Sequence, residues 1–158
     1  DAQLCLGLAY TVGFGVERNE KEAVRWLRKA ADQGYSQAQT RLGDMYSEGL
    51  GVEKSSKEAV RWYREAADQG DVDAQLCLGL AYTVGFGVER NEKEAVRWLR
   101  KAADQGYADA QAKLGDMYNE GLGVEKSYKE AVRWYREAAD QGDADAQFRL
   151  GLACNQGL

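Results

Sequence analysis

The side chains that can do chemistry in this 158-residue chain are carboxylates, three cysteines and the backbone of glycine loops, for there is no histidine. Asp44 with Glu48, and Asp116 with Glu120, stand four residues apart on what the pattern below makes one helix face. Two carboxylates do acid–base work only when burial or proximity drives their pKa values apart; on a solvated helix face both stay ionised. The Asp/Asn spacing of a calcium loop is absent. The glycines of GFGVE and GLGVE invite comparison with a phosphate-binding loop, but that motif needs a Lys and a Ser or Thr after a wider spacing, so a helix cap and turn is the expected role. Cys5 and Cys77 occupy the same position two repeat units apart, where stacking puts them beyond the ~7 Å Cα separation of a disulfide. Cys154 lies at a different helical position. Three free thiols are expected, which favours a reducing compartment, and a metal-binding or reactive thiol would need clustered ligands or electropositive surroundings. With no nucleophile beside a base, no metal cluster and no phosphate cradle, the expectation is a protein with no catalytic residues, no metal and no cofactor.

What positions these residues is a repeat. Units begin at Asp1, Gln37, Asp73 and Asp109, and a truncated one begins at Asp145. Each full unit carries AQxxLG, then a GxGVE loop, then KEAVRW, then AADQG. Residues 1–35 and 73–107 are identical, and 37–72 differ from 109–144 at six positions, so the working unit is a 72-residue double repeat. Self-similarity of this kind marks a stacked array in which neighbours bury each other's apolar faces.

Within unit one, Ala2, Leu6 and Tyr10 fall on one face of a helix A, about residues 1–12, which Gly13 ends and Gly15 turns. Ala23, Val24, Trp26, Leu27, Ala30 and Ala31 mark a helix B. Asn19 with Glu22, Ser55 with Glu58, and Ser127 with Glu130 have the capping-box spacing at its start. Gly34, Gly70, Gly106 and Gly142 end it, and Asp71 and Asp143 are expected to cap the helix that follows. Helices this short are marginal alone. The recurrent Trp26, Trp62, Trp98 and Trp134, with Tyr10, Tyr46, Tyr82 and Tyr118, are expected to supply the buried area, and Ala2, Gly7 and Ala30 to let helices approach.

A net charge of −5 argues against a nucleic-acid partner, whose affinity would rest on Lys and Arg neutralising phosphates. No run approaches the ~20 apolar residues of a membrane helix, so a soluble chain without membrane insertion is expected. The sequence opens at the first residue of a unit without a starting Met, so a trimmed leader stays open and the compartment unknown.

AQxxLGxxY, the GxGV loop, KEAVRW and AADQG together resemble the Sel1-like repeat family, relatives of the tetratricopeptide repeats. The resemblance reaches into the last unit as far as Gly157. It implies an all-α fold: a right-handed α/α solenoid of antiparallel helix pairs, read here as one domain, 1–158. Four full 36-residue repeats (1–36, 37–72, 73–108, 109–144) would be followed by a C-terminal half-repeat, 145–158. Two positions depart from the family pattern. Glu17, Glu53, Glu89 and Glu125 stand where a Pro is common, and the intra-unit cysteine pair of some secreted members is missing.

Function is sought where the units differ. From unit one to unit two the core positions are kept, whereas Leu4 becomes Thr40, Cys5 becomes Arg41, Leu8 becomes Asp44 and Val12 becomes Glu48. The resemblance implies that helix A lines a concave surface. On it would lie Leu4, Leu8, Thr11 and Val12; Thr40, Asp44, Ser47 and Glu48; Leu76, Leu80, Thr83 and Val84; and Ala112, Asp116, Asn119 and Glu120. Apolar stripes alternating with acidic ones fit a protein or peptide bearing apolar and basic side chains, which makes a non-catalytic interaction scaffold the leading expectation. Equally open is that adjacent helices partly cover Leu4 and Leu8. Helix B offers Lys21, Glu22, Arg25, Arg28 and Lys29, a solvated convex face or a basic docking patch. The rival function is an engineered or recently duplicated array that forms homo-oligomers through its apolar stripes or its ends, where Phe148, Leu150 and Leu152 lack a following helix B.

Overall fold

The computed structural model describes residues 2–155, with side chains as far as Ala153. Among the described residues the chain forms nine helices and no strand: α1 (Ala2–Val12), α2 (Glu20–Asp32), α3 (Ser36–Glu48), α4 (Ser56–Asp68), α5 (Val72–Val84), α6 (Glu92–Asp104), α7 (Ala108–Glu120), α8 (Tyr128–Asp140) and α9 (Ala144–Asn155). The odd-numbered helices are the helix A of the repeat and α2, α4, α6 and α8 the helix B. The expectations for Asp1, for the Cys154 thiol and for the motif's reach to Gly157 fall outside the described residues.

Each helix B starts where its cap says it must. Asn19, Ser55, Asn91 and Ser127 are extended, and their side chains accept from the backbone N–H three residues on, at 3.1–3.3 Å. The acidic caps on α5 and α9 form as expected: Asp71 Oδ1 accepts from Ala74 N and Asp143 Oδ1 from Ala146 N. At the far end of α2, Gly34 N donates to Ala31 O and Tyr35 N to Ala30 O, the paired bonds that satisfy terminal carbonyls as the chain reverses. The glutamine of each AQ motif after the first adds a third: Gln39, Gln75, Gln111 and Gln147 reach back from helix A to the carbonyls of Ala31, Ala67, Ala103 and Ala139 at 3.1–3.2 Å. One side chain thus fastens each hairpin to the one before it.

The direction of each hairpin follows from its pairings. Gln3 meets Gln33, Gly7 meets Leu27 and Tyr10 O accepts from Asn19 N, so α2 runs back along α1. Gln39–Gln69, Gly43–Tyr63 and Tyr46–Ser55 do the same for α3 and α4, and Gln111–Gln141, Gly115–Tyr135 and Tyr118–Ser127 for α7 and α8. The Gly43 position is held by contact: a Cβ there would stand 2.5 Å from the Tyr63 ring.

The chain divides into two compact units, residues 1–78 with 86–89, and residues 79–85 with 90–158. In the first, Leu4, Ala23, Leu27, Ala31, Leu42, Met45 and Trp62 form one core, against which Tyr10 and Tyr46 pack. In the second, Ala112, Ala131, Tyr135, Ala138 and Ala146 form a core with Tyr118 and Leu150 packed on it. Trp62, Trp98 and Trp134 are buried as the repeat pattern requires, whereas Trp26 is only half-buried. Leu6, expected inside, is 37% exposed, whereas its equivalent Leu42, on α3 with α2 packed against it, is fully buried. The indole N–H groups of Trp62 and Trp134 are buried without a hydrogen-bond partner among the described residues, a cost that the large apolar ring outweighs.

Candidate functional site

The residues singled out on helix A separate into an inner row and an outer one. In the first unit Leu4 and Thr40 are buried, and Thr40 Oγ1 bonds Asp71 Oδ1 at 3.1 Å. Ala112 of the second unit is buried as well. These three do not face solvent: the position lies against the junction that leads into the next helix A. Leu76 is half-buried. Leu8 and Thr11 are half-buried, and the Thr11 hydroxyl donates to Gly7 O at 2.9 Å, a bond that Thr83 repeats with Gly79 O. Val12 and Val84, by contrast, are 72% and 73% exposed, and Leu80, Glu48 and Glu120 are exposed. Asp44, Ser47, Asp116 and Asn119 lie between the two rows, half-buried.

The polar groups of this middle row are built around a tyrosine. Tyr63 of α4 donates its hydroxyl to Asp44 Oδ1 of α3 at 2.9 Å, and Tyr135 of α8 donates to Asp116 Oδ1 of α7 at the same distance. Burial raises the Asp44 carboxyl pKa above its ordinary value, opposed by the Tyr63 hydrogen bond and by Arg41, whose guanidinium is 3.3 Å away. Burial, then the Asp44 charge, pushes the Tyr63 phenol up, and burial followed by the Asp116 hydrogen bond does so for Tyr135. Cys77 of α5 lies against the first pair: burial, then the charge of Asp44, pushes its thiol up to about 12, so it stays protonated at neutral pH. A protonated, half-buried thiol is a poor nucleophile. In the second unit Arg149 of α9 reaches Asp116 Oδ1 at 2.8 Å, and a cleft of about 300 Å³ opens beside it, lined by Asn119, Glu120, Tyr128 and Leu152 among others.

Neither tyrosine was among the residues the sequence pointed to. The signal was present as a paired change: where the helix A position is Leu8 or Leu80 its facing helix B residue is Leu27 or Leu99, and where it is Asp44 or Asp116 the facing residue is Tyr63 or Tyr135. The outer faces of α4 and α8 are self-neutralising, since Arg61 bridges Glu58 and Glu65 at 3.3 and 3.5 Å and Arg133 bridges Glu130 and Glu137 at 3.4 Å each. Among the described residues no group of His, Cys, Asp and Glu could hold a metal ion, and no helix is long and apolar enough to cross a membrane.

The family model described as Sel1 repeat matches residues 1–35, 36–71, 72–107, 108–143 and 144–158. The chain belongs to the Sel1 repeat family. The family's unit boundaries fall within one residue of those read from the motifs. A solved Sel1 repeat structure from uropathogenic Escherichia coli, c5321, described as a protective antigen displaying an SLR fold, is 42% identical with a TM-score of 0.96 over 99% of this chain. A Sel1 repeat protein from Oxalobacter formigenes is 42% identical with a TM-score of 0.90 over 94%. This Sel1 repeat chain spans 33% of the first and 61% of the second. Cysteine-rich protein B of Helicobacter pylori, 24% identical with a TM-score of 0.65, shares the fold over 84% of the chain and 98% of its own length. None of the curated proteins matches in sequence.

Proposed function

We propose that this Sel1 repeat chain is a non-catalytic scaffold that binds a protein segment through the outer positions of its helix A faces. The observation that carries the reading is the coupled alternation just described. An apolar pair, Leu8 over Leu27, gives way to an acidic and phenolic pair, Asp44 over Tyr63, while the residues that fasten hairpin to hairpin do not change. Packing alone would favour the leucine pair everywhere, since a half-buried carboxylate costs desolvation that leucine does not. The exposed Val12 and Val84, with Glu48 and Glu120, add apolar and acidic contacts in the same rows. The ligand class is a segment with alternating apolar and basic side chains.

Panning a displayed peptide library on the protein and on a Val12→Asp, Val84→Asp variant tests the surface. Both valines are largely exposed, so the variant is expected to melt as the parent does and to bind selected peptides about tenfold or more weakly. Equal binding by both proteins would move the site off helix A. A second reading, self-association, rests on Phe14 and Phe148, which are 81% and 68% exposed. Size exclusion with light scattering decides it: a monomer at all concentrations retires the homo-oligomer.

A further inference from the structure

The two Asp–Tyr pairs are equivalent positions of the double repeat, yet they differ in what stands beside them. In the second unit the carboxylate Oδ1 of Asp116 holds the Tyr135 hydroxyl and also the Arg149 guanidinium, which comes from the next helix A and lies 5.8 Å from the Tyr135 ring centroid. A cation held at once by a carboxylate and an aromatic ring is the arrangement that favours arginine. The residue equivalent to Arg149 in the first unit, 72 positions earlier, is Cys77. Asp44 keeps the Tyr63 hydroxyl at 2.9 Å, but Cys77, though close enough for the Asp44 charge to act on its thiol, is too short and has no charge to complete the pair.

Deepening the scaffold reading, and resting on it, we propose that the Asp44–Tyr63 pair is a seat for an arginine side chain of the bound segment, occupied in the manner that Arg149 occupies the Asp116–Tyr135 pair. The molecule itself supplies the pattern for the occupant. Arg41, on the same helix as Asp44, does not fill the seat: it approaches the other oxygen, Oδ2, at 3.3 Å. Its counterpart Lys113 stands 4.0 Å from Asp116 Oδ2 while Arg149 is in place, so a cation on the helix and a second from outside coexist on one carboxylate. Glu48, one turn further along α3, adds a second negative charge that Asp44 feels, and this further favours a cationic guest. The Cys77 side chain is shorter than the arginine at the equivalent position of the second unit.

Two measurements test this on the full chain. In the first, 15N-labelled protein is titrated with N-acetyl-arginine amide while amide resonances are followed. Saturable shifts are expected at Asp44, Tyr63 and Cys77, absent with the uncharged isostere N-acetyl-citrulline amide, absent in Asp44→Asn and absent in Cys77→Arg, whose own guanidinium closes the seat. Cys77→Ser is expected to shift as the parent does, which separates a filled seat from a disturbed core. In the second, peptides selected on the parent are remade with citrulline for arginine; about tenfold weaker binding is expected, with the difference between the two peptides gone in Asp44→Asn. Equal shifts from arginine and citrulline amides, or selected peptides that bind Cys77→Arg as tightly as the parent, overturn the seat. Arginine-specific shifts without any selected peptide would uphold the seat and remove the extended helix A surface instead. The citrulline exchange and the isosteric Asp44→Asn keep the test decisive even if Cys77→Arg does not fold.

Discussion

Asp44 illustrates how one side chain can be costly to the fold and kept. Its carboxyl pKa is raised in the folded protein above the ordinary 3.8, chiefly by burial, so folding favours the protonated form. The sign follows directly: the favourable contribution is complete below the unfolded value and is lost as pH rises through the folded one. Asp44→Asn, which keeps an oxygen to accept the Tyr63 hydroxyl, is therefore expected to melt at a higher temperature than the parent at pH 7. The gap should close as the pH is lowered toward about 3, as thermal melts of both proteins across that range will show. A fully stabilising native aspartate, with the variant melting lower at neutral pH, would contradict the account. Cys5 and Cys77 make a second comparison, because they sit in identical local sequence but Cys5 is exposed and Cys77 half-buried with a thiol held protonated. Iodoacetamide at neutral pH is expected to modify Cys5 first, read by mass spectrometry from the tryptic peptides 1–18 and 65–90, which differ in length.

The loop between the two helices of a hairpin does more than reverse the chain. Its second glycine, Gly51, lies so close to the start of the previous helix B that a Cβ would stand 2.3 Å from Glu20 O; Gly87 and Gly123 press on Ser56 O and Glu92 O in the same way. Gly15 has the same left-handed backbone, φ +72° against +68° at Gly51, but nothing within 4 Å of a Cβ. Gly15→Ala and Gly51→Ala therefore carry the same backbone strain, and only the second adds a clash. Urea denaturation is expected to show Gly51→Ala less stable than Gly15→Ala by about 1–3 kcal/mol, and equal losses would mean that the loop does not dock. This second duty of the glycines could not be seen in the sequence, where cap and turn already explain them; it needs the carbonyl of a residue thirty-one positions away. Helix limits, caps and the buried Trp62, Trp98 and Trp134 were legible because each rests on local spacing. Thr40 and Ala112, expected on the open surface, are buried, and for Leu4 the covered alternative holds, because the register of helix A against the following junction is a tertiary fact. Tyr63 and Tyr135 are not legible from helix A alone, because the change that matches Asp44 and Asp116 lies nineteen residues on, across the hairpin on helix B.

Across the chain the same hairpin recurs with different cover. Leu6 is part-exposed where Leu42 is sealed, and Phe148 of α9 stands in solvent. Stability in such an array is a sum of hairpins and their junctions, so amide hydrogen exchange is expected to be faster in α1 than in α3 of the first unit, and faster in α9 than in α7 of the second. Uniform protection would point to a single cooperative block. The junctions have a further, genetic consequence. Gln39 ties α3 to α2 through Ala31 O, and Gln111 ties α7 to α6 through Ala103 O, with the same atoms and nearly the same lengths, 3.1 and 3.2 Å. Residues 1–35 and 73–107 are interchangeable as text. A recombination between the two copies would excise 72 residues and splice α2 onto α7 with every such bond re-formed. Such an exchange would shorten or lengthen the protein by a whole double repeat, and with it delete or add one Asp–Tyr pair.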